Sequence, residues 1–237
     1  MSNPYHASRR RPVDLSNCDQ EPIHIPGSIQ NHGALLCFTP EGKLATRSAN
    51  AAALLGDLPE VGQPLDEAHL NAAARAVIQA ALEDRHGYVD ARIITLASGA
   101  FDLVTHKSEG VLIAEFEQRP ADAVSLESFA LAAHQAIQRI QRQPGVEDLL
   151  TLAVDEIARI TGFDRVMAYR FLHDDSGEVI AEHKREDLEP FLGQRYPASD
   201  IPAQARRLYV INPIRLIADV TASTVALEPD HNPLTGR

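Results

Sequence analysis

The sequence predicts an α+β protein in which two domains follow one another, each an antiparallel sheet with flanking helices. Three observations carry this. Short runs of alternating or apolar residues, bounded by Gly, Pro or Ser, recur between residues 34 and 116, the pattern of half-buried strands joined by tight turns. Apolar residues at helical spacing mark three longer stretches, one before and two after residue 120. Between the two regions Arg119-Pro120-Ala121 interrupts both patterns and sets a boundary.

Residues 1–20 show no periodicity and carry Arg9-Arg10-Arg11 among prolines, which makes them an arm ahead of a first domain over 21–120. Ala34 to Thr39 and Lys43 to Ser48 are strands on either side of the turn Pro40-Glu41-Gly42, and a small helix after them ends at Gly56. A helix is expected from Asp66 to Arg85, because Leu70, Ala74, Val77, Ile78, Ala81 and Leu82 recur on one face. Tyr88 to Leu96, Phe101 to His106 and Val111 to Phe116 then complete a sheet of about five strands with helices on one side. In the second domain, 121–237, Ser125 to Gln143 carries Phe129, Ala133, Ala136, Ile137 and Ile140 on one stripe until Pro144-Gly145 breaks it. Val146 to Thr161 is a second helix, with Leu149, Leu150, Ala153, Ile157 and Ile160 inward and Gly162 as its stop. The strand Val166 to Leu172 places Met167, Tyr169 and Phe171 on one face.

With 237 residues, 44% of them apolar, the chain can enclose real cores. Its net charge of −11 and its single basic cluster argue against a nucleic-acid groove. No apolar run approaches the ~18 residues of a membrane span, and no apolar segment follows the basic N-terminus, so a cytoplasmic protein without a membrane partner is expected. Two cysteines are too few for a disulfide framework. Cys37, within Ala34-Leu35-Leu36-Cys37-Phe38, is a small buried thiol in a strand, whereas Cys18 stands between Asn17 and Asp19, where packing gives no reason for a thiol. Nucleotide-loop and nucleophile-elbow motifs are absent, and the ten histidines never fall three or four apart, so neither catalysis nor a helical metal pair is expected.

The heptapeptide Tyr196-Pro197-Ala198-Ser199-Asp200-Ile201-Pro202 holds an Asp between two prolines, which restrict the backbone around it. One reading is a helix entrance: Ser199 or Asp200 caps, Pro202 sits in the first turn, and Ala203 to Tyr209 continues as helix until Asn212-Pro213. The other is a binding loop with its carbonyls held in place.

Three stretches favour the second reading: VDLSNCDQEPIHIPGSIQNHG from Val13 to Gly33, RVMAYRF from Arg165 to Phe171, and GEVIAEHKREDLEPFLGQRYPASDIPAQARRLYVINPIRLIADV from Gly177 to Val220. In this order they resemble the bacteriophytochromes, the biliverdin-binding bacterial phytochromes. The resemblance covers nearly the whole chain and implies a PAS domain over 21–120 followed by a GAF domain over 121–237. That GAF domain would be about half complete at residue 237, with a PHY domain and an output module beyond.

The function so implied is red/far-red light reception through a covalently held linear tetrapyrrole, biliverdin IXα. Such a ligand is flat and conjugated, with pyrrole nitrogens that need acceptors and propionates that need cations. By resemblance, the main-chain carbonyl of Asp200 faces the pyrrole nitrogens and the guanidinium of Arg215 grips a propionate. Tyr169, Tyr196 and Tyr209 match aromatic positions near the outer ring, Ile201 and Pro202 its apolar contacts, and Cys18 the thioether anchor in the arm. The resemblance also implies a homodimer in the full-length protein and a response regulator reached through an output module, commonly a histidine kinase. Two alternatives stand beside this: a PAS-GAF sensor of another small ligand without bilin, and an enzyme with Cys18 as nucleophile.

Overall fold

The structure is a computed structural model that describes residue 23 and residues 27–84 and 90–229. It divides into two compact units. The first holds the described residues up to Ala123 together with those from Ile214 onward, and the second is Val124–Pro213. The tail after Pro213 therefore groups with the first unit, where sequence had assigned it to the second domain.

The first unit is a seven-stranded antiparallel sheet in the order β1-β10-β3-β2-β6-β5-β4. Its strands are β1 (Ser28–Ile29), β2 (Gly33–Phe38), β3 (Leu44–Ser48), β4 (Asp90–Leu96), β5 (Gly99–Ser108), β6 (Val111–Gln118) and, from the tail, β10 (Val225–Glu228). The alternation seen in sequence puts Leu36, Phe38, Phe101, Leu103, Ala114 and Phe116 into one core, where Phe101 meets Phe116 edge-on at 6.3 Å. Helix α1 (Ala51–Leu55) stops at Gly56, whose φ of 86° suits a residue without a Cβ.

Helix α2 (Ala72–Glu83) closes the core with Ala74 and Ile78, but starts six residues later than its apolar face suggests. Asp66 takes the N–H of Ala68 in a local turn, Leu70 adopts a φ of 52°, and the Asn71 side chain accepts from the Ala74 N–H at 2.9 Å. A capping Asn with a left-handed residue before it ends helical geometry whatever the hydrophobic pattern upstream. The tail strand β10 pairs antiparallel with both β1 and β3, through Ser28↔Ala226 and Leu227↔Ser48. Gln30 secures the approach: its amide donates to the Leu216 carbonyl and accepts from the Ala218 N–H.

The second unit contains α3 (Leu126–Gln141), α4 (Val146–Thr161), a sheet of β7 (Arg165–Phe171), β8 (Gly177–Lys184) and β9 (Arg195–Tyr196), and α5 (Ala203–Ile211). Ser125 caps α3 by accepting from the Ser128 N–H, and Gly162 ends α4 in the left-handed conformation. Two expectations about facing residues are corrected here. Phe129, Ile137 and Ile157 stand about half exposed, and the buried residues are Ala136, Val154 and Ala158. Helix α4 packs against β7 and β8 as well as against α3, so its buried residues are not confined to the stripe read from sequence. Glu156, also buried, bridges the helices by accepting from Arg139 and Arg159.

Candidate functional site

The aromatic residues singled out from sequence gather on one side of the β7–β8–β9 sheet. Tyr169 and Phe171 lie on β7, Tyr196 on β9 and Tyr209 on α5. Tyr169 meets Phe171 edge-on at 5.3 Å and Tyr196 at 6.2 Å, and Phe171 meets Tyr209 at 5.7 Å. Phe171 thus links two of the three tyrosines, a role that its place on the alternating strand signals only in part.

A register shift between Ala168 and Tyr169 marks the point where β7 turns Tyr169 across its partner strand. The phenol comes to rest over Gly177 of β8. A Cβ at residue 177 would lie 2.0 Å from the Tyr169 hydroxyl, so glycine is what makes this placement possible. The hydroxyl is buried and has no hydrogen-bond partner among the described residues. Burial raises the pKa of this phenol, assisted by Tyr196, Tyr209 and Asp200, so it stays protonated and able to donate. An uncompensated buried hydroxyl costs about 1–3 kcal/mol, a cost that a ligand acceptor would remove.

The 196–202 loop leaves β9 and enters α5. Pro202 flanks the helix in extended geometry and no side chain caps it. The Ser199 hydroxyl donates to Asp200 Oδ1 at 3.1 Å, and neither side chain accepts from the first N–H groups of α5, so the helix-cap reading of Ser199 or Asp200 fails. The Asp200 N–H donates to the Pro197 carbonyl at 3.0 Å, and among the described residues no donor reaches the Asp200 carbonyl. Ile201 and Pro202 are half-buried beside it. The result is a main-chain acceptor on a restricted loop in the unit that carries the aromatic cluster.

Loop 185–192, which leads toward β9, is held by Glu182. Its side chain is 3% exposed and accepts the N–H groups of Phe191 and Leu192 at 2.8 and 2.9 Å while pairing with Arg165. Burial pushes this carboxyl up, but the two N–H groups and Arg165 outweigh it and the net shift is downward. Arg165 also stacks 4.0 Å over the Phe191 ring.

Arg215 belongs to the first unit, where it is exposed and donates to the Ile214 carbonyl at 2.9 Å. Cys18 lies outside the described residues. The first unit also has a cleft of about 380 Å³ lined by Phe38, Leu65, Arg75, Ile78, Gln79 and Leu82. Arg75 there already donates to the carbonyls of Glu67, His69 and Leu70, so its guanidinium serves the fold. Cys37, expected to be buried, is half-buried in the same unit, and desolvation pushes its thiol up to about 12, which leaves it unreactive.

A family model described as PAS fold matches residues 18–119. The chain is 46% identical to a bacteriophytochrome of Pseudomonas aeruginosa over 94% of its own length and 31% of that protein's. It is 40% identical to cyanobacterial phytochrome B of Nostoc, again over 94% of this chain and 31% of the relative. Among solved structures, the chromophore-binding domain of an unusual bacteriophytochrome from R. palustris matches with a TM-score of 0.77 and 36% identity, over 93% of this chain and 73% of that one. This chain belongs to the bacteriophytochromes.

Within that family the chain spans about a third of the length of the curated relatives it matches. No helix among its described residues is long and apolar enough to cross a membrane. The features that sequence left unremarked are Gly177 beneath Tyr169 and the arginines that flank the 196–202 loop. A glycine next to a strand aromatic and a basic residue on a helix are both commonplace in sequence, and neither carries a local signal.

Proposed function

We propose that this chain is the light-sensing region of a bacteriophytochrome and that it holds a linear tetrapyrrole, biliverdin IXα, against the second unit. The observation that carries the reading is the buried, unpartnered Tyr169 hydroxyl within an aromatic cluster, in the same unit as the Asp200 carbonyl, which no donor among the described residues reaches. In this reading the second unit is the first part of a GAF domain that follows the PAS domain. A bound bilin supplies a conjugated chromophore that absorbs red light and isomerises.

The chain's own residues do the rest. The Asp200 carbonyl accepts from pyrrole N–H groups and favours their protonated form. Tyr169, Tyr196 and Tyr209 line the outer ring, with Ile201 and Pro202 excluding water beside it. Arg215 offers the paired donors of a guanidinium to a propionate. Cys18 would hold the pigment as a thioether through a vinyl side chain, an addition of thiol across a double bond that needs no oxidant. Because the thiolate is the reactive species, residence of the pigment beside the thiol supplies the effective concentration, so binding precedes bonding. Signalling passes to an output module of the full-length protein, with a homodimer and a response regulator as partners in the cytoplasm.

The test uses the chain joined to the following segment of the Pseudomonas aeruginosa relative, incubated with biliverdin and compared with its Cys18→Ala variant. The parent should turn green and keep zinc-enhanced fluorescence on a denaturing gel, and the variant should bind pigment but release it there. A preparation that stays colourless favours a sensor of another ligand. Fluorescence that persists in Cys18→Ala removes the anchor assignment.

A further inference from the structure

The turn between β7 and β8, Leu172–Ser176, reaches the 196–202 loop from two sides. On one side Arg195, directly before Tyr196, donates to Asp174 Oδ2 at 2.6 Å and to the Ser176 hydroxyl at 3.1 and 3.0 Å. Ser176 is buried and bonds back to Asp174 through both its hydroxyl and its N–H. On the other side Arg206 of α5 pairs with Asp175 at 3.4 Å through Nη2. Its Nη1 donates to the carbonyls of Ala198 and Ile201. Asp175 has a φ of 63°, a left-handed conformation that Asp tolerates better than most residues, and it places its carboxylate within reach of α5.

Arg206 is only 20% exposed while Asp175 is 66% exposed, so the guanidinium is the inner member of the pair. One planar cation with several donors can satisfy two carbonyls and a carboxylate together, which lysine, a compact point charge, cannot do with the same geometry. The carbonyls it engages bracket that of Asp200 in sequence. Ala198 and Ile201 are thereby turned toward Arg206, and of the two carbonyls between them, those of Ser199 and Asp200, neither meets a donor among the described residues.

We infer that Arg206 is a positioning residue for the candidate pigment site: tied to the Asp175 turn, it fixes the carbonyls on either side of Asp200 so that the Asp200 carbonyl stays aligned as an acceptor. This rests on the proposed function and adds a residue that does not itself touch the ligand. A few ångströms of loop drift would leave the pyrrole nitrogens without an aligned acceptor.

Hydrogen exchange of the pigment-free protein reads the clamp directly. Arg206→Ala should speed exchange of the Asp200, Ala205 and Arg206 amides, bonded to Pro197 and Pro202 carbonyls, by roughly tenfold, with the β7–β8 ladder unchanged. The biliverdin adduct of the same variant should show a broadened red band and a roughly twofold or greater loss of photoconversion at equal pigment loading. Arg206→Lys should recover only part of both. Wild-type exchange at these amides, or full recovery with lysine, would overturn the inference. Should Arg206→Ala fail to fold, Asp175→Asn, which keeps the left-handed residue and removes the charge, must still speed exchange in 198–206, and an unchanged loop there overturns it too. If the parent itself stays colourless, the proposed function fails while the exchange result still decides whether the clamp exists.

Discussion

Gly177→Ala tests how the aromatic cluster is seated. The new Cβ would lie 2.0 Å from the Tyr169 hydroxyl, 2.1 Å from Cε1 and 2.2 Å from Cζ, against the ~3.5–4.0 Å at which carbon atoms rest. The ring must therefore withdraw by about 1.5 Å. Tyr196 and Phe171, with centroids 6.2 and 5.3 Å away, limit where it can go. Overpacking of this kind costs about 1–3 kcal/mol. For a unit of this size each kcal/mol lowers the melting temperature by about 4–8 °C. Thermal unfolding of the parent, Gly177→Ala, Tyr169→Ala and the double variant forms a cycle. Because Tyr169→Ala removes the atoms that clash, the double variant should be little worse than Tyr169→Ala alone, a coupling of about 1–3 kcal/mol. Costs that add to within about 0.5 kcal/mol would show that Tyr169 does not lie over Gly177, and the argument for a buried, unpartnered phenol would fall with it.

Glu156 should make the second unit sensitive to acid. Arg139 and then Arg159 hold its carboxyl down to about 2 from an ordinary 4.5, so the stabilisation is complete above pH 4.5 and is lost as pH falls through about 2. The shift would correspond to about 3 kcal/mol at face value, and with guanidiniums 43% and 52% exposed about 1–2 kcal/mol is expected. Urea titrations of the parent and Glu156→Gln should give a stability difference that shrinks between pH 4.5 and 2, and a constant difference would contradict the ion-pair account. In the first unit, Gly33→Ala would bring a Cβ to 2.4 Å from the Phe116 carbonyl oxygen across the β2–β6 ladder. It should lower the urea midpoint of the first unit by the equivalent of about 1–3 kcal/mol, and an unchanged midpoint would refute the close approach.

Sequence alone determined the elements whose signals are local. Pro144-Gly145 and Gly162 bound α4 at the residues where the structure has it, and alternation with Gly and Pro turns placed β2, β3, β5 and β6 to within a few residues. Family motifs also singled out Tyr169, Tyr196, Tyr209 and the 196–202 loop, which the structure then gathers in one unit. What tertiary structure decided was every pairing between residues far apart in the chain. The assignment of β10 to the first sheet depends on hydrogen bonds between residues 225–228 and strands near residues 28 and 48, and no periodicity records a partner. The same holds for Gly177 under Tyr169, and for Arg195 and Arg206 meeting a single turn. Local patterns fix which backbone conformation a segment prefers and which face it buries. Whether a polar side chain finds a carbonyl, a carboxylate or nothing depends on what the fold brings opposite it, and in this protein the candidate site is made of such encounters.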